Sequence, residues 1–232
     1  MISAVADTKT RILEAAEKLF GSKGFESTSL RDITTQAHVN LAAVNYHFQS
    51  KESLIDAVIE RRMAPVNKRR IEMLEAAGAA PTLEQILEAF VSPLLNQPTL
   101  PSLLAGQVLV DPKQFAERFF KHLADAAQRF ANAIQLAVPG LSNSECFWRL
   151  HFAGGAMAHL LRSADFLPAM SNGLCDPTDR KAMVARLVGF LAAGFRAPEI
   201  QFPRENGSVL PSSAVKPSTA PGSAITDFSE TN

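Results

Sequence analysis

The side chains best placed to do chemistry lie between Ser29 and Lys51, and they are hydrogen-bond donors. This stretch reads SLRDITTQAHVNLAAVNYHFQSK, and its spacing predicts two short helices, a tight corner between them and the start of a long third helix. Ser29 followed three residues later by Asp32 is typical of a helix start, and Asn40 can cap the second helix. These residues therefore predict a helix–corner–helix unit.

The second of these helices combines a thin apolar stripe with a polar outer face. Leu41, Val44 and Phe48 share one side at helical spacing. The positions left exposed hold two small residues and three donors, namely Ala42, Ala43, Asn45, Tyr46 and His47. Small residues at a helix start let the helix enter the major groove of DNA deeply, and short donors suit base edges and phosphates. The same spacing also fits an ordinary three-helix packing unit, so it leaves both interpretations open.

From Thr10 to about Leu54 the chain resembles the TetR family of bacterial one-component transcription regulators. The segments RILEAAEKLFGSKGF, TSLRDIT and VNLAAVNYHFQSKESLI carry the resemblance, in the family's order and spacing. The resemblance implies a helix-turn-helix that binds an operator in double-stranded DNA. One departure is His38, where the family usually has glycine at the corner. A residue other than glycine there must take a strained or left-handed backbone, which histidine tolerates better than most residues.

The resemblance also implies roles for single residues of the DNA surface. The positions that hold phosphates in the family are matched by Thr28, Tyr46, His47 and Lys51. The positions nearer base edges are matched by Asn40, Ala42, Ala43 and Asn45. We also expect Ser29 and Arg31, at the start of the first short helix, to belong to this surface.

Composition predicts an all-α fold and a modest charge asymmetry. The 232 residues are 47% hydrophobic, and no alternating run of strand length stands out. The net charge is zero, but residues 1–70 hold 11 Lys plus Arg against 8 Asp plus Glu, and the remainder holds 12 against 15. A mildly basic first part and a mildly acidic second part fit a DNA-binding domain joined to a domain that does not touch DNA.

No pattern predicts an enzyme, a metal site or a cofactor. Cys146 and Cys175 have neither CxxC spacing nor a neighbouring histidine, and the histidines of the C-terminal part lack partners at the spacing of a triad or metal set. The N-terminus lacks the apolar core of a signal peptide, and no apolar run reaches membrane-spanning length. We expect a cytoplasmic protein with no membrane partner.

Breakers and capping residues divide the chain into four parts. The predicted division is 1–55 for the helix-turn-helix domain, 56–80 for a connecting helix region, 81–197 for a helical effector-binding and dimerisation domain, and 198–232 for a disordered tail. Thr82 with Gln85 is a capping box after the breaker GAAPT, and the tail is rich in Pro, Ser, Gly and Thr. The basic runs at 61–62 and 68–70 fit either a solvated helix face or an approach to DNA phosphates.

The larger domain has many aromatic residues, which fit either a plain core or an apolar ligand cavity between helices. The stretch FWRLHF…GAMAHLL resembles the C-terminal domain of the PsrA-type, fatty-acid-responsive TetR subgroup. This second resemblance implies a fatty acyl or other lipophilic effector. The residues expected to hold it are Phe90, Phe115, Phe119 and Trp148, with Arg149 and His151 at its carboxylate or thioester end. Arg149 fits a helix-surface ion pair equally well.

Runs of small residues in the last two long helices predict close helix packing across a homodimer. The residues expected at this interface are Gly154, Gly155, Phe190 and Gly194. The sequence therefore predicts a dimeric, ligand-responsive repressor, released from a palindromic operator by a lipophilic small molecule. The alternative is an orphan DNA-binding regulator with no effector. An enzyme with an added DNA-binding domain is disfavoured, because no nucleophile–base pair is present.

Overall fold

The computed structural model describes residues 2–96 and 112–200, and regular structure in these ranges is helical. The helices are α1 (Ile2–Lys23), α2 (Leu30–Ala37), α3 (Leu41–Phe48), α4 (Lys51–Ala76), α5 (Leu83–Leu95), α6 (Pro112–Ala137), α7 (Asn143–Ser163), α8 (Leu167–Met170) and α9 (Arg180–Arg196), with a 3-10 turn at Ala164–Phe166. The described ranges contain no strand, which confirms the all-α prediction. Within them, every helix is too short or too polar to cross a bilayer.

Most helices begin where the capping residues predicted. Thr82 and Gln85 form the predicted reciprocal capping box of α5, and Ser142 caps α7. The pattern Asp176-Pro177 with Asp179 predicts the opening of the last helix, and the structure places the cap at Asp179. Apolar spacing in the first part of the chain predicts a helix over about 8–22, and α1 is longer. The prolines at 98 and 101 predict that a short helix follows at about 103–110, which lies outside the described residues, as does the tail from residue 201 onward.

Helix α4 is shared by both ends of the fold. It runs through Pro65 without ending, as predicted. Its first half buries Leu54 and Val58, which belong to the same apolar core as α1, α2 and α3, and its second half buries Met63 and Val66. Buried apolar side chains from α1 to α9 form one cluster, and residues up to Glu199 belong to one structural unit. The predicted domain boundaries at 55 and 80 therefore fall within and just after a continuous helix, and they remain a prediction.

The first basic run on α4 faces α1. The Arg61 guanidinium lies 3.2 Å from Glu14, and Arg62 forms an ion pair with Glu17. These pairs join the middle of α4 to the helix that supports the helix-turn-helix. These contacts favour neither a solvated helix face nor an approach to DNA phosphates, because both guanidinium groups pair with glutamates of α1.

The second basic run divides between solvent and interior. Lys68 and Arg69 are exposed and lie near Glu72, which agrees with a solvated face. Arg70 is different, because only 2% of it is exposed and it is the largest fully buried side chain of the described chain.

Arg149 fixes the C-terminal end of α9. Its Nη1 atom lies 2.8–2.9 Å from the carbonyl oxygens of Gly194, Phe195 and Ala197, and its Nε donates to Glu145 at 2.9 Å. The side chain is 7% exposed. The predicted helix ion pair is therefore present, with Glu145 four residues earlier, but it is mostly buried. The prediction that Arg149 holds a ligand's carboxylate is wrong, because its donors are used within the protomer. Terminal helix carbonyls have no donors of their own, and this guanidinium supplies them.

The structure predicts that Arg149→Ala destabilises the fold by about 2–3 kcal/mol, as expected for losing charge-assisted hydrogen bonds to buried carbonyls. At this chain length that corresponds to a fall in Tm of roughly 5–10 °C. The matched control is Arg186→Ala, which removes an exposed arginine of α9, the helix whose C-terminal end Arg149 fixes. Thermal unfolding of both variants checks the prediction, and equal Tm values would contradict it.

The corner between α2 and α3 depends on a left-handed residue. His38 has φ 52° and ψ 51°, and its N–H donates to the carbonyl oxygens of Thr34 and Thr35. His38 thus adopts the left-handed backbone that was expected for a residue other than glycine at this corner. Glycine would take this backbone without strain.

We expect His38→Val to lower the free energy of unfolding by about 1–2 kcal/mol, because a β-branched side chain at positive φ is strained. His38→Gly is the control, since glycine adopts this backbone freely and should keep the wild-type stability to within about 1 kcal/mol. Denaturant unfolding measures both. A valine variant as stable as the glycine variant would show that the corner rearranges.

Candidate nucleic-acid interface

Helix α3 packs by a thin stripe and presents the rest of its surface to solvent. Val44 is 1% exposed and Phe48 is 5% exposed, whereas Tyr46 is 80% exposed. Ala42 and Asn45 are also exposed. These five positions of α3 follow the predicted pattern of buried stripe and open face.

Three other residues of α3 complete or correct that pattern. Ala43 and His47 are half-buried beside the open face, and the ring of His47 meets that of Tyr46 edge to face at 5.1 Å. The prediction that Leu41 belongs to the buried stripe is wrong, because 44% of it is exposed. It lies at the first position of the helix.

The start of α2 is held by its own cap. The Ser29 hydroxyl accepts from the N–H of Asp32 at 3.1 Å, and the Asp32 carboxylate accepts from the Ser29 N–H at 3.0 Å. These hydrogen bonds lower the pKa of Asp32, so this support is present above the ordinary carboxyl pKa and is lost as the pH falls through the lowered value. Arg31, beside the cap, is exposed. The Ser29 hydroxyl is thus engaged, while the Arg31 side chain is open to solvent.

Asn40 caps α3, and this limits its predicted role at the base edges of DNA. Its Oδ1 accepts from the N–H of Ala43 at 2.8 Å and caps α3. The oxygen of the amide is therefore occupied, although the residue is exposed. Asn40 sets the start and direction of α3, which is the part that would enter a groove.

The structure corrects the expectation for Thr28. The residue is 0% exposed, and its hydroxyl donates to the carbonyl oxygen of Gly24 at 2.7 Å. Its N–H donates to the carbonyl oxygen of Phe25 at 3.3 Å. Neither donor faces solvent, so Thr28 shapes the α1–α2 connection and does not present a phosphate-binding side chain.

Lys51 stands at the first position of α4, next to the end of α3. It is half-buried, and its Nζ donates to the carbonyl oxygen of Glu26 at 3.3 Å. A single weak hydrogen bond to a carbonyl leaves an ammonium group able to turn toward a phosphate.

Arg11 of α1 has a role that sequence reasoning missed. Its guanidinium donates to the carbonyl oxygen of Ala37 from Nε at 3.1 Å and from Nη2 at 2.9 Å, and to that of His38 at 2.7 Å. It thus closes the C-terminal end of α2 and fixes the corner. The contact joins residues 26 and 27 positions apart, so no local spacing signals it.

The predicted ligand residues do not come together. Phe90 of α5 is half-buried, and its ring packs on Phe130 of α6 with centroids 5.2 Å apart. Trp148 is 56% exposed, and His151 lies beside it on the outer face of α7. The prediction that Trp148 and His151 line an interior site with Phe90 is therefore wrong, because they project away from the α5–α6 core. The side chains of residues 115 and 119, on α6, are outside the described set.

The predicted dimer residues lie on open surface of α7 and α9. Gly155 and Gly194 are exposed, Gly154 is half-buried, and Phe190 is 72% exposed. A Cβ atom built on any of these three glycines would meet no described heavy atom within 4 Å. Close packing inside the protomer is therefore not the reason for these small residues.

Comparisons with known proteins agree with this geometry. Residues 12–58 match the bacterial regulatory proteins of the tetR family, and residues 88–194 match the tetracyclin repressor-like C-terminal domain. The "Probable HTH-type transcriptional regulator YttP" of Bacillus subtilis is 33% identical over 81 residues, which are 35% of this chain and 39% of YttP. The match thus spans less than half of YttP. UidR of Escherichia coli K12 is 28% identical over 131 residues, which are 55% of this chain and 67% of UidR.

Solved structures share the fold over most of the chain. FadR from Bacillus subtilis in complex with stearoyl-CoA has a TM-score of 0.58 at 15% identity, and covers 80% of this chain and 98% of that one. FadR from Bacillus halodurans has a TM-score of 0.57 at 16% identity, and covers 82% and 97%. At such identities the likeness shows the fold alone. The two family matches, which together cover more than half of the chain, agree with the helical bundle and the capped helix-turn-helix, and the chain belongs to the TetR family of transcriptional regulators.

Proposed function

We propose that the protein is a homodimeric repressor that binds a palindromic operator and leaves it when a lipophilic small molecule binds. The open face of α3 is the observation that supports DNA binding. Asn45 and Tyr46 are exposed on this face, while Val44 and Phe48 pack the opposite side of the helix into the core. The cap at Asn40 and the Arg11 guanidinium fix how that helix projects. A short helix so presented fits the major groove.

Two kinds of contact are proposed for this face. Tyr46, His47 and Lys51 hold phosphates. Arg31, exposed in the first turn of α2, assists them. Ala42, Ala43 and Asn45 lie against base edges. Phosphate contacts give affinity that depends on salt, and base contacts give sequence preference.

The homodimer is supported by an exposed apolar surface on α7 and α9. Trp148, Phe152 and Phe190 are each more than half exposed, and the Trp148 and Phe152 rings stack with centroids 5.7 Å apart. Aromatic residues are enriched at interfaces, and exposed apolar patches mark them. Gly155 and Gly194 would let a second copy approach these helices closely. Two copies related by a two-fold axis would present two α3 helices to two half-sites.

A ligand-driven release is supported by the course of α4. This helix has Lys51 at its first position and its second half packed against α5 and α6. A ligand between these helices would tilt α4 and alter the separation of the two α3 helices. Coupling of about 1–3 kcal/mol is typical of allosteric proteins and gives roughly 5- to 150-fold weaker operator binding. A lipophilic effector, with a fatty acid or acyl-CoA as an example, is suggested by the FadR neighbours, one of which was solved with stearoyl-CoA. If nothing releases the operator, the protein is an orphan regulator.

The division of contacts predicts different outcomes for neighbouring substitutions. Lys51→Ala should weaken binding to all sequences alike and lower the slope of log K against log salt by about one per subunit. Asn45→Ala should change the preferred sequence, by about 1–3 kcal/mol at one base pair. Thr28→Val should lower stability without changing the salt slope.

The measurement is fluorescence anisotropy of labelled duplexes, which the wild-type protein first selects from a random-sequence library. Lys121→Ala, at an exposed position of α6 far along the chain from the interface, is the control and should leave both affinity and preference unchanged. A Lys51→Ala protein with wild-type affinity and salt slope would remove the phosphate assignment.

The interface on α7 and α9 predicts a dimer that one exposed residue can break. Phe190→Glu should give a monomer, because it places a charge in an apolar interface at no cost inside the protomer. The matched control is Leu136→Glu, since Leu136 of α6 is 81% exposed but belongs to another face. Sedimentation velocity reports the mass of each variant. A Phe190→Glu protein that stays dimeric would place the interface elsewhere.

A further inference from the structure

Arg70 is a buried cation without an acidic partner in the described part of the chain. It is 2% exposed, and its hydrogen bonds go to neutral groups: Nε donates to the carbonyl oxygen of Phe90 at 2.8 Å, and Nη1 donates to Asn67 Oδ1 at 3.3 Å. Its guanidinium also lies over the Phe90 ring, 4.6 Å from the centroid. Arginine is almost never fully buried without a pairing group, so this arrangement calls for an explanation.

The group is charged in the absence of any ligand. Burial lowers the pKa of Arg70 from its ordinary value to about 10, so the guanidinium remains protonated at neutral pH. A guanidinium has five N–H donors, of which the described residues accept from two. The donors left over are the second hydrogen of Nη1 and those of Nη2, which form the end of the fork that binds a carboxylate with two parallel hydrogen bonds.

The surroundings of Arg70 combine apolar rings with a second unsatisfied polar atom. Phe90 packs on Phe130 of α6, and the Asn67 side chain donates to the carbonyl oxygen of His122 at 2.8 Å. The Nδ1 atom of His122 lies 2.6 Å from Glu60, while its Nε2 is buried without a hydrogen-bond partner among the described residues. Asn67 therefore connects a cation with free donors to a histidine with a free ring nitrogen, where α4, α5 and α6 meet.

We propose that Arg70 binds the carboxylate of the effector, and that the effector is a free lipophilic acid. This rests on the effector response proposed above and specifies its chemistry. The carboxylate supplies the missing counter-charge, and the aromatic rings of α5 and α6 contact the hydrocarbon part. An acyl-CoA has a neutral thioester at the corresponding carbon, and its large polar group does not suit a site where the cation is 2% exposed. The free acid should therefore bind more tightly than its thioester.

The position of Arg70 also connects the site to DNA binding. It lies on α4, in the half of the helix beyond Pro65, and the same helix begins at Lys51. Its hydrogen bond to Phe90 joins α4 to α5 directly. A carboxylate that draws the guanidinium away from the Phe90 carbonyl oxygen would weaken the contact between α4 and α5. Helix α4 would then move as a rigid body.

The test compares ligands that differ only in the head group. Dodecanoate, palmitate and stearate, the matching alcohols and the matching CoA thioesters are titrated into the full-length protein by calorimetry, and into the selected operator complex by anisotropy. Wild-type protein should bind at least one acid about 10-fold or more tightly than its alcohol or thioester, as expected for a charge-assisted pair. The Arg70→Met variant should bind the acid no more tightly than the alcohol or the thioester, while its affinity for the alcohol should equal that of the wild type. Arg70→Lys should be intermediate, because lysine keeps the charge without the planar fork.

The matched control is Arg69→Met, which removes the neighbouring arginine, 63% exposed in its side chain, and should leave all affinities unchanged. Two results would overturn the assignment of Arg70 while leaving effector release intact. One is a wild-type protein that binds the thioester or the alcohol more tightly than the acid. The other is an Arg70→Met protein that binds the acid as tightly as the wild type does. Failure of every ligand to bind or to release DNA would overturn the effector response itself. If the variants do not fold, the comparison of acid with alcohol on wild-type protein decides alone.

Discussion

The shared helix α4 is the constraint on which the rest of the fold depends. A helix rises about 1.5 Å per residue, so its 26 residues form a rod of about 39 Å. Leu54, Val58, Met63 and Val66 are buried along its length in the single apolar cluster that includes residues of both the helix-turn-helix and the larger bundle. Neither end of this cluster can be rebuilt without moving α4. The ion pair of Arg62 with Glu17 of α1 prevents the first half of the rod from turning independently of the helices beside it.

Arginine side chains fix the places where helices end or cross. Arg11 closes α2, Arg149 closes α9, and Arg70 joins α4 to α5. A guanidinium suits these positions because its planar fork reaches several carbonyl oxygens at once while its charge stays fixed. Arg70 differs from the other two in that the described residues accept from only two of its five N–H donors, which is the basis of the ligand role proposed for it.

Helix α7 separates an inner and an outer apolar face. Cys146, Leu150, Ala153 and Met157 are buried at helical spacing, and burial raises the pKa of the Cys146 thiol. Trp148 and Phe152 belong to the opposite side and are exposed. The helix therefore contributes small and medium side chains to its own protomer and large aromatic rings to the outside. Exposing an apolar face of this kind to water is unfavourable, and the proposed second copy would cover it symmetrically.

Sequence by itself determined the features that depend on near neighbours. The caps at Ser29, Asn40 and Thr82 were predictable, because a cap joins residues three positions apart and needs no tertiary contact. The left-handed backbone at His38 was expected from the family resemblance, because the family usually has glycine at this corner. The open face of α3 was predictable from helical period, and the family resemblance added what that face does.

Only the tertiary structure decided which polar and aromatic side chains are buried. Arg70 and Arg69 are adjacent in one basic run, yet one is buried and the other is in solvent, because α5 covers a single side of α4. Arg149 reaches carbonyls more than forty positions away, and Trp148 faces outward although aromatic residues elsewhere in the domain, such as Phe130, fill the core. The period of α7, with Cys146 and Leu150 inside, contains the signal for Trp148. For the arginines no local signal exists, since a long charged side chain is buried only when distant segments supply acceptors for it.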